Sequence, residues 1–429
     1  MSGIPELLRA AGLPALPREA WVEVSLDAVE ANVHSLAARL PSGGHLDVVL
    51  KANGYGLGSV ELAKASLAAG ARAILVATVD EALELRAAGI TSPVRVLWRT
   101  PPAYLAAAAR AHIGVAATSP AVVEELLAAD LRGVPPLEVD VEVDTGLGRD
   151  GILPGELAAQ VGRLAADPTR FTLRSVWSHL ANAEDIVRSR AQQAQLLASA
   201  VILPGMEHHI VASGGLLTVG DTERVARIGI ALLGVVPNAL RSTETAASLG
   251  LTGVYRLVAR PVRIAILPAG HGVGYGPAFT TQRPSRIATL PMGYADGISY
   301  HDKEKATVLV RGVALPVVGT IAMDSITVDT TDHPATDLSE RDDFVFIGQS
   351  GDKEIQPVDV AKRRSTITNE VSTSFSSRLS RVYTRKGAPI AIRSPSPLRS
   401  HSPVLPQADR QFRSEEHTSE LQSRETISY

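Results

Sequence analysis

The sequence predicts an α/β chain in which a (β/α)8 barrel is followed by a C-terminal strand-rich domain. Three observations carry that expectation. Short apolar or β-branched runs alternate with Ala/Leu/Glu/Arg-rich helical patterns eight times before about residue 240. The alternation then stops, and brief strand-like runs broken by Gly, Pro and Asp take over. Polar residues also recur at the C-terminal ends of the early runs, where a barrel places its chemistry. Strands alternating with helices call for a parallel sheet with helical crossovers, and eight such units closing on themselves form a barrel.

The elements follow in order. Trp21–Leu26 reads as a strand leading into a helix at Asp27–Asn32. Asp47–Leu50 is the first barrel strand and ends at Lys51; Asn53-Gly54 and Gly56 signal a turn before a helix at Ser59–Ala69. Further barrel strands are expected at Ala73–Ala77, Val94–Trp98, Ile113–Ala117, Leu137–Val143, Leu173–Ser178, His209–Ala212 and Val225–Leu232. Strand-like runs of the second domain are Tyr255–Leu267, Ser285–Leu290, Ala306–Val310, Leu315–Val318, Ser325–Val328 and Phe344–Ile347. The expected division is a barrel at 1–243, a β domain at 244–393 and a disordered tail at 394–429. Within that tail, Arg413–Ser423 resembles a translated sequencing adapter and is left out of fold reasoning.

With 429 residues the chain can bury a large core, and its net charge of −3 is spread without basic blocks, which speaks against a nucleic-acid partner. The lack of cysteine excludes disulfides, thiolate nucleophiles and Cys-ligated metals. Glu6, Arg9, Arg18 and Glu19 interrupt the first twenty residues, so neither a secretory signal nor a membrane span is expected there, and the location expected is cytoplasmic.

The candidate site residues lie at one rim. Lys51 closes the first strand, Glu142 and Arg149 lie at and after the fifth, His179 closes the sixth, Ser213 follows the seventh, and Arg227 lies within the eighth. A lysine between an apolar run and a glycine turn can be desolvated, which lowers its pKa and makes it an amine nucleophile toward a carbonyl. Arg227 inside a barrel strand is costly unless paired, and a buried structural ion pair accounts for it as well as a site does. His179 has no second ligand at metal spacing. Ser213-Gly214-Gly215 and Arg227-Ile228-Gly229-Ile230 offer a hydroxyl and approachable amides where barrels often bind phosphate, although tight turns alone would also explain the glycines.

The stretch Val48-Val49-Leu50-Lys51-Ala52-Asn53-Gly54-Tyr55-Gly56-Leu57-Gly58 resembles the pyridoxal-phosphate lysine motif of the alanine racemase family. Val143–Gly151, Gly272–Pro277, Pro291–Gly297 and Gly319–Asp324 resemble further motifs of that family, in the same order. The resemblance implies pyridoxal 5'-phosphate held by Lys51, with phosphate contacts from Tyr55, Ser213, Gly229 and Ile230. It implies Arg227 at the pyridine nitrogen, oriented by His179; a guanidinium there leaves the ring a weak electron sink and favours simple proton return. It places Arg149 and the Met323 amide at the substrate carboxylate, Asp324 beside them, and Tyr294 at a narrowed entrance. It makes Tyr275 the proton carrier opposite Lys51, reaching the lysine of a partner subunit in a homodimer. An ordinary phenol, near pKa 10, is a poor base at neutral pH, so a neighbouring cation such as Arg227 is expected to lower it.

Some positions depart from the family. Glu142 stands where many relatives have a carbamylated lysine, and its carboxylate is expected to pair with Arg149 directly. Thr320 replaces a common Arg, Ala212 a common Asn, and Ser377 a phosphate-binding tyrosine of some members. The activity implied is interconversion of L- and D-alanine, with D-alanine feeding cell-wall precursors. Two alternatives remain open at this point: a racemase of other or several amino acids, and a non-catalytic pyridoxal-phosphate carrier. The carriers lack a β domain, whereas this chain has one with Tyr275 and Met323 in it. A related decarboxylase would bring a catalytic cysteine, and there is none.

Overall fold

The computed structural model describes residues 3–394 apart from 202–204, 221–222, 238–239, 241–242 and 277; the tail expected at 394–429 lies, beyond its first residue, outside the described residues. Strand β1 is Ala20–Ser25. The barrel follows as β2 His45–Val49, β3 Ala73–Val76, β4 Val94–Val96, β5 Ile113–Ala117, β6 Leu137–Glu142, β7 Phe171–Trp177, β8 Glu207–His209 and β9 Val225–Ile228. These eight pair in parallel in the order β8-β7-β6-β5-β4-β3-β2-β9. A parallel bridge between Ala212 and Arg227, with Arg227 N donating to Val211 O at 3.1 Å, draws the chain just past the end of β8 against β9.

Successive residues of a strand face opposite sides of the sheet, which divides the barrel residues in two. Leu46, Val48, Ile74, Val76, Val94, Val96, Val139, Val141, Val176 and Ile228 belong to the large core shared with the surrounding helices. Val49, Ala73 and Leu75, with Leu97 against them, form a separate apolar cluster on the other side. By the same alternation Asp47, Arg95, Asp140, Glu142, Ser175, His209 and Arg227 face the interior, so half of the barrel is filled with polar groups. Buried charges survive when paired. Asp47 takes a two-pronged bond from Arg72 at 2.7 and 2.9 Å, and Arg95 bonds Asp140 at 3.3 Å.

The second sheet contains β1 together with β10 Tyr255–Ala259, β11 Arg263–Leu267, β14 Ser285–Leu290, β15 Thr307–Val310, β16 Val313–Val318, β17 Ile326–Asp329, β18 Phe344–Ser350, β19 Lys353–Ile355, β20 Ser380–Arg385 and β21 Ala388–Arg393. The short hairpin β12 Gly272–Val273 and β13 Phe279–Thr280 stands apart. Two details differ from the sequence expectation. The run Tyr255–Leu267 divides at Arg260-Pro261, because proline cannot donate to a ladder. The strand read at Trp21–Leu26 exists, but it pairs antiparallel with β10 and parallel with β20, so the 1–243 stretch lends its first strand to the second sheet.

That sheet also fixes the loop after Lys51. Arg381, buried in β20, donates through Nε and Nη2 to Gly56 O at 3.0 and 2.8 Å, and Tyr383 Oη donates to Leu57 O at 3.0 Å. A Cβ on Gly56, whose φ is +83°, would lie 2.1 Å from Ser372 O. Glycine is required there by both the turn and the close approach.

Candidate active site

Lys51 follows the last residue pairing of β2 and opens a turn with left-handed backbone at Ala52, Asn53, Gly54 and Tyr55, with φ of 53°, 54°, 62° and 55°. Glu81 supports the start of this turn. Its carboxylate accepts from Ala52 N at 2.5 Å and Ala77 N at 2.8 Å, tying the ends of β2 and β3 together. Burial lowers the Lys51 pKa, the Arg149 charge lowers it further, and Glu81 partly opposes both. The amine is therefore closer to its neutral, nucleophilic form than a surface lysine.

The left-handed turn carries Tyr55 across the barrel mouth to Gly229. A Cβ on Gly229 would fall 2.1 Å from Tyr55 Oη, so the phenol occupies space that only glycine leaves open. Burial raises the Tyr55 pKa to about 12, which keeps its hydroxyl proton available for donation. Ser213 Oγ accepts from Gly229 N at 3.1 Å and Ala231 N at 3.3 Å. A phenol, a hydroxyl and a bare peptide thus meet at the ends of β8 and β9, with Ile230 next in the chain. This is the donor set that suits a phosphate, and the residues fit the group expected there.

Arg227 is buried at the centre. Its Nη1 meets His209 Nδ1 and donates to His209 O at 3.2 Å. Its Nη2 donates to Ser178 O and to Ile210 O, the latter at 3.1 Å, and lies 3.3 Å from His179 Nδ1. The guanidinium also stacks over Trp177, 4.8 Å from the ring centroid. Burial pulls the Arg227 pKa down to about 10, still well above neutrality. Burial, then the Arg227 charge, pushes His179 down to about 3 and holds His209 well below the usual imidazole range. Both imidazoles are thus neutral at pH 7 and accept from a guanidinium that stays charged.

Arg149 sits on the loop after β6. Asp144 Oδ1 accepts from the amides of Gly146, Leu147 and Gly148 at 2.8, 3.0 and 3.1 Å, which gives this loop its shape. Arg149 Nη2 stands 3.7 Å from Glu142 Oε1. Gln192 ties the loop to the His179 segment by donating to Thr145 Oγ1 at 3.2 Å and His179 O at 3.1 Å while accepting from Ala181 N at 2.9 Å.

The sequence-predicted residues fall into two groups. Lys51, Tyr55, Glu142, Arg149, His179, Ser213, Arg227, Gly229 and Ile230 converge on one barrel rim. Tyr275, Tyr294, Met323 and Asp324 lie on the β domain. Tyr275 is 77% exposed, and among the described residues it makes no hydrogen bond or ring contact with Lys51 or Arg227. The cation expected beside Tyr275 is enclosed by barrel groups within one chain. Thr320, the residue found in place of arginine, donates to Tyr275 O at 2.9 Å and holds its loop. Tyr294 and Met323 are about half exposed, and Asp324 pairs with Arg378. His209, Trp177, Glu81 and Gln192 were not foreseen. An alternation of interior positions on β7 and β8 could have drawn attention to Trp177 and His209, but nothing in the spacing marks Glu81 or Gln192.

No helix among the described residues is long and apolar enough to cross a membrane. Residues 24–237 match the family model for the alanine racemase N-terminal domain, and residues 254–383 that for the alanine racemase C-terminal domain. An alanine racemase of Symbiobacterium thermophilum is 34% identical over 377 residues, covering 85% of this chain and 97% of the relative. A crystal structure of alanine racemase from Bacillus anthracis with bound L-Ala-P is 31% identical with a TM-score of 0.80, covering 88% of this chain and 98% of that one. Another, from Bartonella henselae with covalently bound pyridoxal phosphate, is 31% identical with a TM-score of 0.73, covering 86% and 100%.

Proposed function

The chain belongs to the alanine racemase family, and on that premise we propose that it interconverts L- and D-alanine with two opposed proton carriers, Lys51 of one subunit and Tyr275 of a second copy. Pyridoxal 5'-phosphate is the cofactor, to be held by Lys51 at one end and by Tyr55, Ser213, Gly229 and Ile230 at the other. Bound there, it supplies an electron sink that acidifies the α-hydrogen of an amino acid.

The chain's own groups do the rest. Lys51, its ammonium destabilised by burial, gives up its proton more readily than a surface lysine, the direction of shift that general acid–base work requires. Arg227 keeps its charge between two neutral imidazoles, so it supplies hydrogen bonds but no transferable proton. Arg149, the Met323 amide and Asp324 are assigned to the substrate carboxylate end, and Tyr294 to the entrance. Tyr275 supplies the second proton carrier. Its exposure, together with that of Tyr294, Tyr300, Met323 and Ile367 on the β domain, favours a homodimer in which this face meets the barrel mouth of a second copy. The cytoplasm and peptidoglycan-precursor synthesis are the setting this activity implies.

The observation that carries the reading is the meeting of Lys51, the Tyr55–Gly229–Ser213 cradle and buried Arg227 at one rim. The test is subunit complementation. Lys51→Ala and Tyr275→Phe chains, each inactive by chiral assay of alanine, should regain activity when mixed under conditions that exchange subunits, because each hybrid dimer has one intact pocket. Hybrids without activity would refute the shared site. A panel of L-amino acids in the same assay decides between alanine preference and the broader-specificity alternative.

A further inference from the structure

Trp98 stands two residues beyond β4 at the rim that holds Lys51 and Glu142. The backbone pairing with β3 continues up to it, since Leu97 N donates to Val76 O at 2.9 Å and Trp98 N to Ala77 O at 3.2 Å. The residue is therefore held by the barrel wall. Its side chain is nevertheless 48% exposed, unusual for the largest apolar side chain. What it faces is Arg149, whose guanidinium carbon lies 5.8 Å from the indole centroid.

Arg149 needs such a neighbour. The loop beneath it is fixed through Asp144 only as far as the Gly148 amide. Its side chain is 45% exposed, and its ion pair with Glu142, at 3.7 Å, is longer than a hydrogen bond. An arginine so placed would sample many rotamers, and ordering it on substrate binding would cost affinity. An indole face restrains a guanidinium without using any of its N–H donors, leaving them for a ligand.

We propose that Trp98 is a positioning residue for the substrate carboxylate, holding the Arg149 guanidinium between its indole face and the Glu142 carboxylate. The inference rests on the functional reading above, in which Arg149 meets that carboxylate. Because the carboxylate is bound in the ground state and the transition state alike, losing the restraint raises KM and leaves kcat nearly unchanged.

The test compares Trp98→Leu, which keeps bulk but removes the π face, with Trp98→Phe, which keeps a face. Trp98→Leu is expected to raise KM for L-alanine about two- to fivefold, the range of an exposed cation–π contact, with kcat within about twofold. Calorimetric binding of propionate, which has the carboxylate and methyl of alanine but no amine, should weaken by the same factor. Trp98→Phe should recover most of both losses, and in an Arg149→Gln background Trp98→Leu should have no further effect. Unchanged KM and propionate affinity in Trp98→Leu, equal defects in the Leu and Phe variants, or an undiminished effect without Arg149 would each overturn the proposal. If Trp98→Leu fails to fold, Trp98→Met is read by the same criteria. An unmutated protein without alanine racemisation sinks the functional reading, whereas an active one whose KM responds to Arg149→Gln and not to Trp98→Leu sinks this inference alone.

Discussion

Glu142 Oε1 stands 3.7 Å from Arg149 Nη2, a buried carboxylate against a half-exposed guanidinium. Burial pushes the Glu142 pKa up to about 7; Arg149 and Arg227 oppose the rise, and Asp150 and Asp144 add to it. Only the ionised form pairs with Arg149, and that form grows as pH rises through about 7. KM for alanine should therefore fall across this window in the unmutated enzyme. Glu142→Gln should flatten the profile and raise KM about three- to tenfold at pH 8, the scale of a partly exposed charged contact, with little change at pH 6. Folding runs the other way. The folded state binds the extra proton between the ordinary carboxylate value of 4.5 and about 7, so this group's contribution to stability is lost as pH rises through that interval. Steady-state kinetics from pH 6 to 8 on both proteins decides; parallel profiles would refute the coupling.

Gly229→Ala tests the phosphate cradle. The new Cβ would fall 2.1 Å from Tyr55 Oη and 3.0 Å from its Cζ, so the buried ring has to move. Cofactor affinity should drop at least about tenfold, the penalty of roughly 1.4 kcal/mol that a modest steric shift imposes. Titrating apoprotein with pyridoxal phosphate and following cofactor absorbance measures it. Tyr55→Phe in the same background removes the clashing oxygen, so the double variant should bind better than Gly229→Ala alone. If it binds worse, the phenol contributes more through its hydrogen bond than it obstructs.

His209 makes a prediction about acid. It is buried, and burial followed by the Arg227 charge holds its pKa well below the usual value of 6.5. Below about pH 6.5 the unfolded chain therefore binds a proton that the folded one refuses, and stability falls as pH drops, by about 1.4 kcal/mol per unit from this ring. His209→Gln should lose that component. His209→Leu, which strips an acceptor from a buried guanidinium, should cost about 2–4 kcal/mol at neutral pH. Urea midpoints of the apoprotein between pH 5 and 8 measure both, and an acid slope identical in His209→Gln would count against the assignment.

Most barrel strands were legible because they are short apolar runs set between helical patterns, and the interior of β2 and β3 still follows the alternation of Val49, Ala73 and Leu75. The exception is β8, since Glu207–His209 is polar and the apolar run read at His209–Ala212 mostly follows it. The placement of β1 was not, since a strand's partner depends on residues more than two hundred positions away: Val22 meets Leu257 on one side and Arg381 on the other. The site divides in the same manner. Lys51 and Tyr55 share one turn, and Arg227 and Gly229 one strand end, so contiguous motifs carry them. His209 meets Arg227 of β9 and Trp98 faces Arg149 on the loop after β6, and no linear spacing encodes either contact. Asp140 and Arg95, which no motif singles out, pair inside the barrel beside Gly114, where a Cβ would lie 3.3 Å from each of them.

The turn after Lys51 bears on stability. Ala52 is exposed and held at φ 53° and ψ 49°, a left-handed conformation that costs an L-residue with a Cβ about 1–2 kcal/mol. In a right-handed helix Ala→Gly would destabilise by up to about 1 kcal/mol; here the sign reverses, because glycine adopts this backbone freely. Ala52→Gly should gain about 0.5–1 kcal/mol, less than the full strain because glycine also loses more chain entropy on folding. Ala52→Val, β-branched at the same angles, should lose at least about 1 kcal/mol. The amide that donates to Glu81 is unchanged by either substitution, so Lys51 stays in place and cofactor affinity should move less than twofold. Urea unfolding of the apoproteins, with cofactor titration alongside, tests the pair. A destabilised Ala52→Gly would mean that the turn relaxes to right-handed backbone in solution, and the route by which Tyr55 reaches Gly229 would have to be redrawn.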